Sequence, residues 1–160
     1  LMRQLPGKFK ISILGCPNSY GKAQGNDLAF LAVRKIQLDE ASCILCQKCI
    51  RVCPDKAFTV DEGTLLLDEE KCSRCGKCIP VCPVEALHQE EVEFLIFLGG
   101  RLGRRSRLAT PYHKTCKEDE IMDITEKVLA YYKMVANPTE RFAEVIERIG
   151  QAEVEHAIFN

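Results

Sequence analysis

Cys43-Ile44-Leu45-Cys46-Gln47-Lys48-Cys49-Ile50-Arg51-Val52-Cys53-Pro54 recurs 29 residues later as Cys72-Ser73-Arg74-Cys75-Gly76-Lys77-Cys78-Ile79-Pro80-Val81-Cys82-Pro83. Eight of the ten cysteines therefore fall into two copies of one spacing, C-x-x-C-x-x-C-x-x-x-C-P. Lys48/Lys77, Ile50/Ile79, Val52/Val81 and Ala57/Ala86 match at the same offset, which marks a duplicated unit. A cubane needs four thiolates in tetrahedral array, and one tight loop supplies three of them when two residues separate each pair. The spacing predicts two [4Fe-4S] clusters. In this motif the fourth cysteine of each run ligates the other cluster. Cys43, Cys46, Cys49 and Cys82 are thus expected on cluster 1, and Cys72, Cys75, Cys78 and Cys53 on cluster 2.

Structural zinc is the rival reading of C-x-x-C pairs, but neither the third cysteine nor the C-P ending adds anything to a tetrahedral zinc site. A disulfide framework fits less well still, because cysteines outside the two motifs are few and reduced thiols suit clusters. Ile44, Ile50, Val52, Ile79 and Val81 are expected to pack around the sulfide cores.

The 160 residues carry a net charge of −1 and are 46% hydrophobic, with no apolar run long enough for a membrane span. This composition points to a cytoplasmic protein with no nucleic-acid partner. Charge is uneven, however: Arg101, Arg104, Arg105, Arg107, Lys114 and Lys117 lie in a stretch without an acidic residue. Such a stretch points at an anion.

Residues 8–14 alternate polar and apolar as a half-buried strand does, and Gly15-Cys16-Pro17-Asn18-Ser19 ends them in a turn. Residues 28–38 read as a second strand. A hairpin is expected from Ala57–Val60 and Thr64–Leu67 around Asp61-Glu62-Gly63, and a further strand at 92–98. Thr115 and Glu118 read as a capping box ahead of a helix with Ile121, Ile124, Val128, Tyr132 and Val135 on one face. Asn137-Pro138-Thr139-Glu140 separates it from another, with Pro138 in the first turn and Phe142, Val145, Ile146 and Ile149 along one side. Gly150 ends that helix, and a short amphipathic piece, Val154 to Phe159, follows. The fold class expected is α+β: a mixed sheet with carboxyl-terminal helices, formed by 1–38 and 91–160, into which a two-[4Fe-4S] ferredoxin-like domain, 39–90, is inserted.

Leu5-Pro6-Gly7-Lys8-Phe9-Lys10-Ile11-Ser12-Ile13, Gly15-Cys16-Pro17-Asn18-Ser19, Asn26-Asp27, Gly99-Gly100-Arg101-Leu102-Gly103 with Arg107-Leu108, and Glu140-Arg141-Phe142 resemble segments of the sirohaem-dependent nitrite and sulfite reductases. The resemblance covers nearly the whole chain and implies electron relay, from a soluble donor protein or reductase subunit, toward the six-electron reduction of sulfite to sulfide or nitrite to ammonia. It further implies a sirohaem with a third, coupled [4Fe-4S] cluster, held in the family by an upstream C-x5-C and a C-P-x-x-C. Here that last motif reads Cys16-Pro17-Asn18-Ser19-Tyr20, so Cys16 is a candidate ligand, and no C-x5-C precedes Cys16. Tyr20 stands where the bridging cysteine would be, and either supplies its phenolate to sirohaem instead or marks loss of the cofactor. The Leu1-Met2-Arg3 start is expected to be a cut within a longer protein, and 160 residues alone are expected to be inactive. Arg101, Arg104, Arg105 and Arg107 are expected to meet sirohaem carboxylates or the oxyanion, since guanidinium groups bind two oxygens at once. The alternative is a ferredoxin-like carrier derived from a reductase that lost its sirohaem.

Overall fold

The computed structural model describes residues 5–160; residues 1–4, counted above with the reductase-like part, lie outside the described residues. Ile11–Leu14 (β1) runs parallel to the first half of Leu28–Leu38 (β2), with Ile11 opposite Leu28 and Leu14 opposite Leu31. Leu87–Leu98 (β5) pairs antiparallel with Thr110–Cys116 (β6), and the sheet order is β1-β2-β5-β6. Between β2 and β5 in sequence lie a short helix, Lys48–Val52 (α1), and the hairpin Phe58–Asp61 (β3) and Thr64–Leu67 (β4). Three helices end the chain: Ile121–Val135 (α2), Phe142–Ile149 (α3) and Gln151–Phe159 (α4). The architecture is α+β with a mixed sheet.

The chain divides into two compact units, and β2 and β5 contribute residues to both. One holds the described residues up to Gly15, Ser19–Ala32 and Phe94–Asn160; the other holds Cys16–Asn18 and Val33–Glu93.

In the first unit, residues Leu28–Ala32 of β2 are all buried. Period two sends Ala29 and Leu31 to one face, where they pack with Leu14, Leu95, Phe97 and Ala109, and Leu28 and Phe30 to the other. A strand covered on both faces reads as a continuous apolar run, which is why 28–38 shows no clean alternation. β1 behaves differently from its pattern. Ile11 and Ile13 are 45% and 61% exposed, so the isoleucines of this edge strand face outward while Ser12 and Leu14 turn inward.

β6 has no counterpart in the sequence-based expectations. Thr-Pro-Tyr-His-Lys-Thr-Cys lacks alternation and contains Pro111, which only an edge strand tolerates. Its inward residues are Tyr112 and Cys116, and the Tyr112 ring stacks on Phe159 at 4.1 Å. Thr115 belongs to this strand, so the capping box lies elsewhere. The Lys117 N–H donates to Glu120 Oε2 at 2.7 Å, two residues beyond the expected start. Likewise Pro138 sits in the turn rather than in a first helical turn. α3 begins at Phe142, where the Arg141 N–H donates to Glu144 Oε2 at 2.8 Å. The expected helix faces do form the core: Ile121, Ile124, Val128, Tyr132, Phe142, Val145 and Ile146 are buried. Phe9 joins Tyr132 and Phe142 in an aromatic group with centroids 5.3–5.7 Å apart.

Four of the separated reductase-like segments meet in this unit. Gly99 N–H donates to Asp27 O at 2.7 Å and Gly100 N–H to Asn26 O at 2.8 Å. Asp27 also accepts from Arg141 Nη2 at 2.6 Å and from the Lys10 N–H at 2.9 Å.

Candidate metal centres

The duplication in the second unit extends to backbone geometry. Left-handed residues recur at the repeat offset: Leu45 and Arg74 (φ 53° and 56°), Gln47 and Gly76 (φ 58° and 75°), Lys56 and Glu85 (φ 53° each). Non-glycine residues take this conformation at a cost, and here it falls twice between the cysteines of each run and once after the last. The two copies brace one another: Asp39 N–H donates to Ala86 O and Asp68 N–H to Ala57 O, both at 2.8 Å. Each aspartate also orders the start of its own cysteine loop, Asp39 Oδ1 accepting from Ala41 N–H and Asp68 Oδ1 from Glu70 N–H, both at 3.1 Å. Asp39/Asp68 was a legible signal at the same offset as the cysteines. The left-handed residues were not, because Leu, Gln and Arg carry no turn signature.

Cys43, Cys46, Cys49 and Cys82 line one cavity of about 370 Å³, counted to its open mouth. Leu45, Leu65, Val84 and Leu87 supply apolar wall, and Ile44, 61% exposed, sits at the rim. Ile50 and Ile79 pack in the core of this unit, with Ile36, Phe58, Leu65 and Leu87, whereas Val52 is exposed instead of facing a core. On the other side of the repeat, Cys72 lies within electrostatic reach of Cys53 and Cys75, and Cys78 of Cys72, Cys75 and Cys49. The crossing cysteine of each copy therefore approaches the triplet of the other.

The thiols differ in environment. Burial pushes Cys49 and Cys72 up, and drives Cys78 up to about 12. For Cys82, burial raises and the backbone N–H groups of Val84, Leu87, Ala86 and Glu85 lower; the amides win, and the thiol falls below its ordinary value. Ala57 N–H points to Cys53 Sγ and Arg74 N–H to Cys72 Sγ, each at 3.4 Å. Amides aimed at sulfur stabilise thiolate and the added charge of a reduced cluster. Four sulfurs around one apolar cavity fit a cubane.

Residues expected near sirohaem are more dispersed. Cys16 is half-buried, and Tyr20 is 93% exposed. Arg101 and Arg107 exchange two backbone hydrogen bonds of 2.8 Å that close a loop with Arg104 and Arg105 exposed at its tip. Both closing guanidinium groups are engaged within the chain. Arg101 Nη1 donates to Glu144 Oε1, and Arg107 to Gly99 O and Gln151 Oε1, each at 2.8 Å.

A family model described as the nitrite and sulphite reductase 4Fe-4S domain matches residues 2–158. The chain belongs to this family. A coenzyme F420-dependent sulfite reductase of Methanocaldococcus jannaschii is 39% identical over 150 residues, which cover 92% of this chain and 24% of that protein. The chain thus spans about a quarter of that relative's length. Among solved structures, dissimilatory sulfite reductase I superposes with a TM-score of 0.69 over 96% of this chain and 43% of its own, at 21% identity. That likeness concerns the fold. As a nitrite and sulphite reductase 4Fe-4S domain, the chain is an iron–sulfur domain, and no helix among the described residues is long and apolar enough to cross a membrane.

Proposed function

We propose that this chain is the electron-delivery part of a sirohaem-type sulfite reductase, relaying electrons through two [4Fe-4S] clusters. The observation that carries the proposal is the common cavity of Cys43, Cys46, Cys49 and Cys82, a set that no single loop could supply. In this reading Cys72, Cys75, Cys78 and Cys53 hold the second cluster, and the insert comprises about residues 39–90. The clusters, when bound, would supply one-electron redox chemistry. The protein's own part is to fix the thiolates, to keep an apolar wall around them and to aim backbone N–H groups at sulfur.

Sulfite is favoured over nitrite because the curated relative at 39% identity is a sulfite reductase. The donor is a soluble protein or a reductase subunit, in the reducing cytoplasm where exposed thiols stay free. Arg104 and Arg105 are the guanidinium groups left to meet sirohaem carboxylates or the oxyanion, and Arg101 and Arg107 hold the loop that carries them. Cys16 belongs beside the coupled cluster.

Tyr20 supports a second reading, because it stands at the bridging-cysteine position and is 93% exposed. In that reading the protein is an electron carrier without sirohaem. Anaerobic purification of the complete polypeptide, with its visible spectrum and its iron and sulfide content, separates the two. Sirohaem bands with about twelve cluster irons establish the reductase, and a plain brown spectrum with about eight establishes the carrier. Fewer than about eight would overturn the two-cluster assignment.

A further inference from the structure

The two copies of the cysteine motif share their left-handed positions but differ in what packs on them. Gln47 in the first copy corresponds to Gly76 in the second, and both are left-handed. At Gly76 a Cβ would lie 2.7 Å from Cδ and 3.5 Å from Nε of Arg34. The glycine leaves room for an arginine stem laid over the backbone between Cys75 and Cys78. Arg34 comes from β2, outside the repeat, and its N–H donates to Arg74 O at 3.0 Å, so strand and loop are tied at two points. Lys48 and Lys77 occur in both copies and introduce no difference between them. The opposing charge on this side is Asp55, whose counterpart in the second copy is Val84. Asp55 is held by Ser73, accepting from its N–H at 3.1 Å and from its hydroxyl.

Resting on the two-cluster reading, we propose that Arg34 is a positioning residue that sets an inequality of reduction potential between the two clusters, favouring the electron on the group held by Cys72, Cys75 and Cys78. The reduced form carries one more negative charge than the oxidised form, and a half-buried guanidinium against its ligand loop stabilises that charge. With both clusters bound, the electron gained by one would be the electron given up by the other, and Arg34 would bias where it rests. Arg34 thereby gives direction to a relay built from two copies of one cysteine spacing. Asp55 opposes it from the surface.

The test is a potentiometric titration of the anaerobic full-length protein, followed by electron paramagnetic resonance, in wild type, Arg34→Met, Arg34→Lys and Asp55→Asn. Iron and sulfide are counted first, so that failure of the two-cluster reading shows as missing metal rather than as an unmoved potential. Arg34→Met is expected to lower the reduced-to-oxidised ratio of one cluster about tenfold at fixed ambient potential, a shift of about 59 mV for one electron. Arg34→Lys should keep most of the wild-type ratio, and Asp55→Asn should raise the same cluster's ratio. The proposal is overturned if both clusters move together, if neither moves, or if the lysine and methionine variants shift alike. Should Arg34→Met lose metal, Asp55→Asn decides, since it replaces a surface side chain and leaves Arg34 in place: an unmoved ratio overturns the proposal.

Discussion

Arg141 Nη2 lies 2.6 Å from Oδ2 of Asp27, a residue 114 positions earlier whose side chain has no solvent exposure. The carboxylate joins the start of β2 to the N-cap of α3, and the same oxygen takes the Lys10 N–H. Breaking a buried pair from one side strands the other charge. Asp27→Ala is expected to destabilise this unit by about 3–5 kcal/mol, read as a lower midpoint in urea. Arg141→Met should cost a similar amount, and the double variant less than the sum of the two.

Cys82 lies far in sequence from Cys43, Cys46 and Cys49, yet lines their cavity. Cys82→Ala is therefore expected to remove the same resonance signal as Cys43→Ala, while Cys53→Ala removes that of the Cys72 triplet. Each loss should amount to about four irons per chain. If Cys82→Ala instead abolished the signal lost with Cys72→Ala, the crossed ligation would be wrong.

Glu140 accepts from both Nε and Nη2 of Arg148 at 2.9 Å and from the Asn137 N–H at 2.8 Å. The Arg148 hydrogen bond outweighs desolvation and holds the carboxyl below its ordinary 4.5. A lowered carboxylate contributes stability that is complete above the unfolded value and lost as pH falls through the folded one. Wild type should lose stability below about pH 4.5 more steeply than Glu140→Gln, as followed by thermal unfolding across that range.

Gly100 carries an ordinary φ, but a Cβ there would come within 2.2 Å of Gln24 O and 2.6 Å of Asn26 O. Backbone oxygens yield little. Gly100→Ala should cost about 1–3 kcal/mol, measured as the loss in unfolding free energy, with the Gly100 N–H to Asn26 O bond lost first.

Much of the cluster unit was readable in order along the chain. Four cysteines at fixed spacing, repeated at one offset with Asp39/Asp68 and Ala57/Ala86, reflect ligand chemistry that leaves little freedom in residue type. The strand at 28–38 and the faces of α2 and α3 were also legible, because burial imposes period and apolar content. β6 was not: an edge strand holding a proline takes its hydrogen bonds from β5, and nothing in Thr110–Cys116 announces that partner. The outward turn of Ile11 and Ile13 was hidden for a related reason, since alternation reveals two faces but not which one the core takes.

The arginine loop shows the same division. Its composition pointed to an anion, yet only the folded chain reveals that Arg101 and Arg107 are engaged with Glu144, Gly99 and Gln151 while Arg104 and Arg105 remain at the tip. By itself the sequence determined the duplicated cysteine spacing and the elements that bury apolar faces, because those depend on residue type and short-range spacing. Tertiary structure alone decided that Asp27 meets Arg141 and that Arg34 lies over Gly76. Such contacts join residues many positions apart, and they exist only where folding has already met the entropy cost of bringing distant segments together.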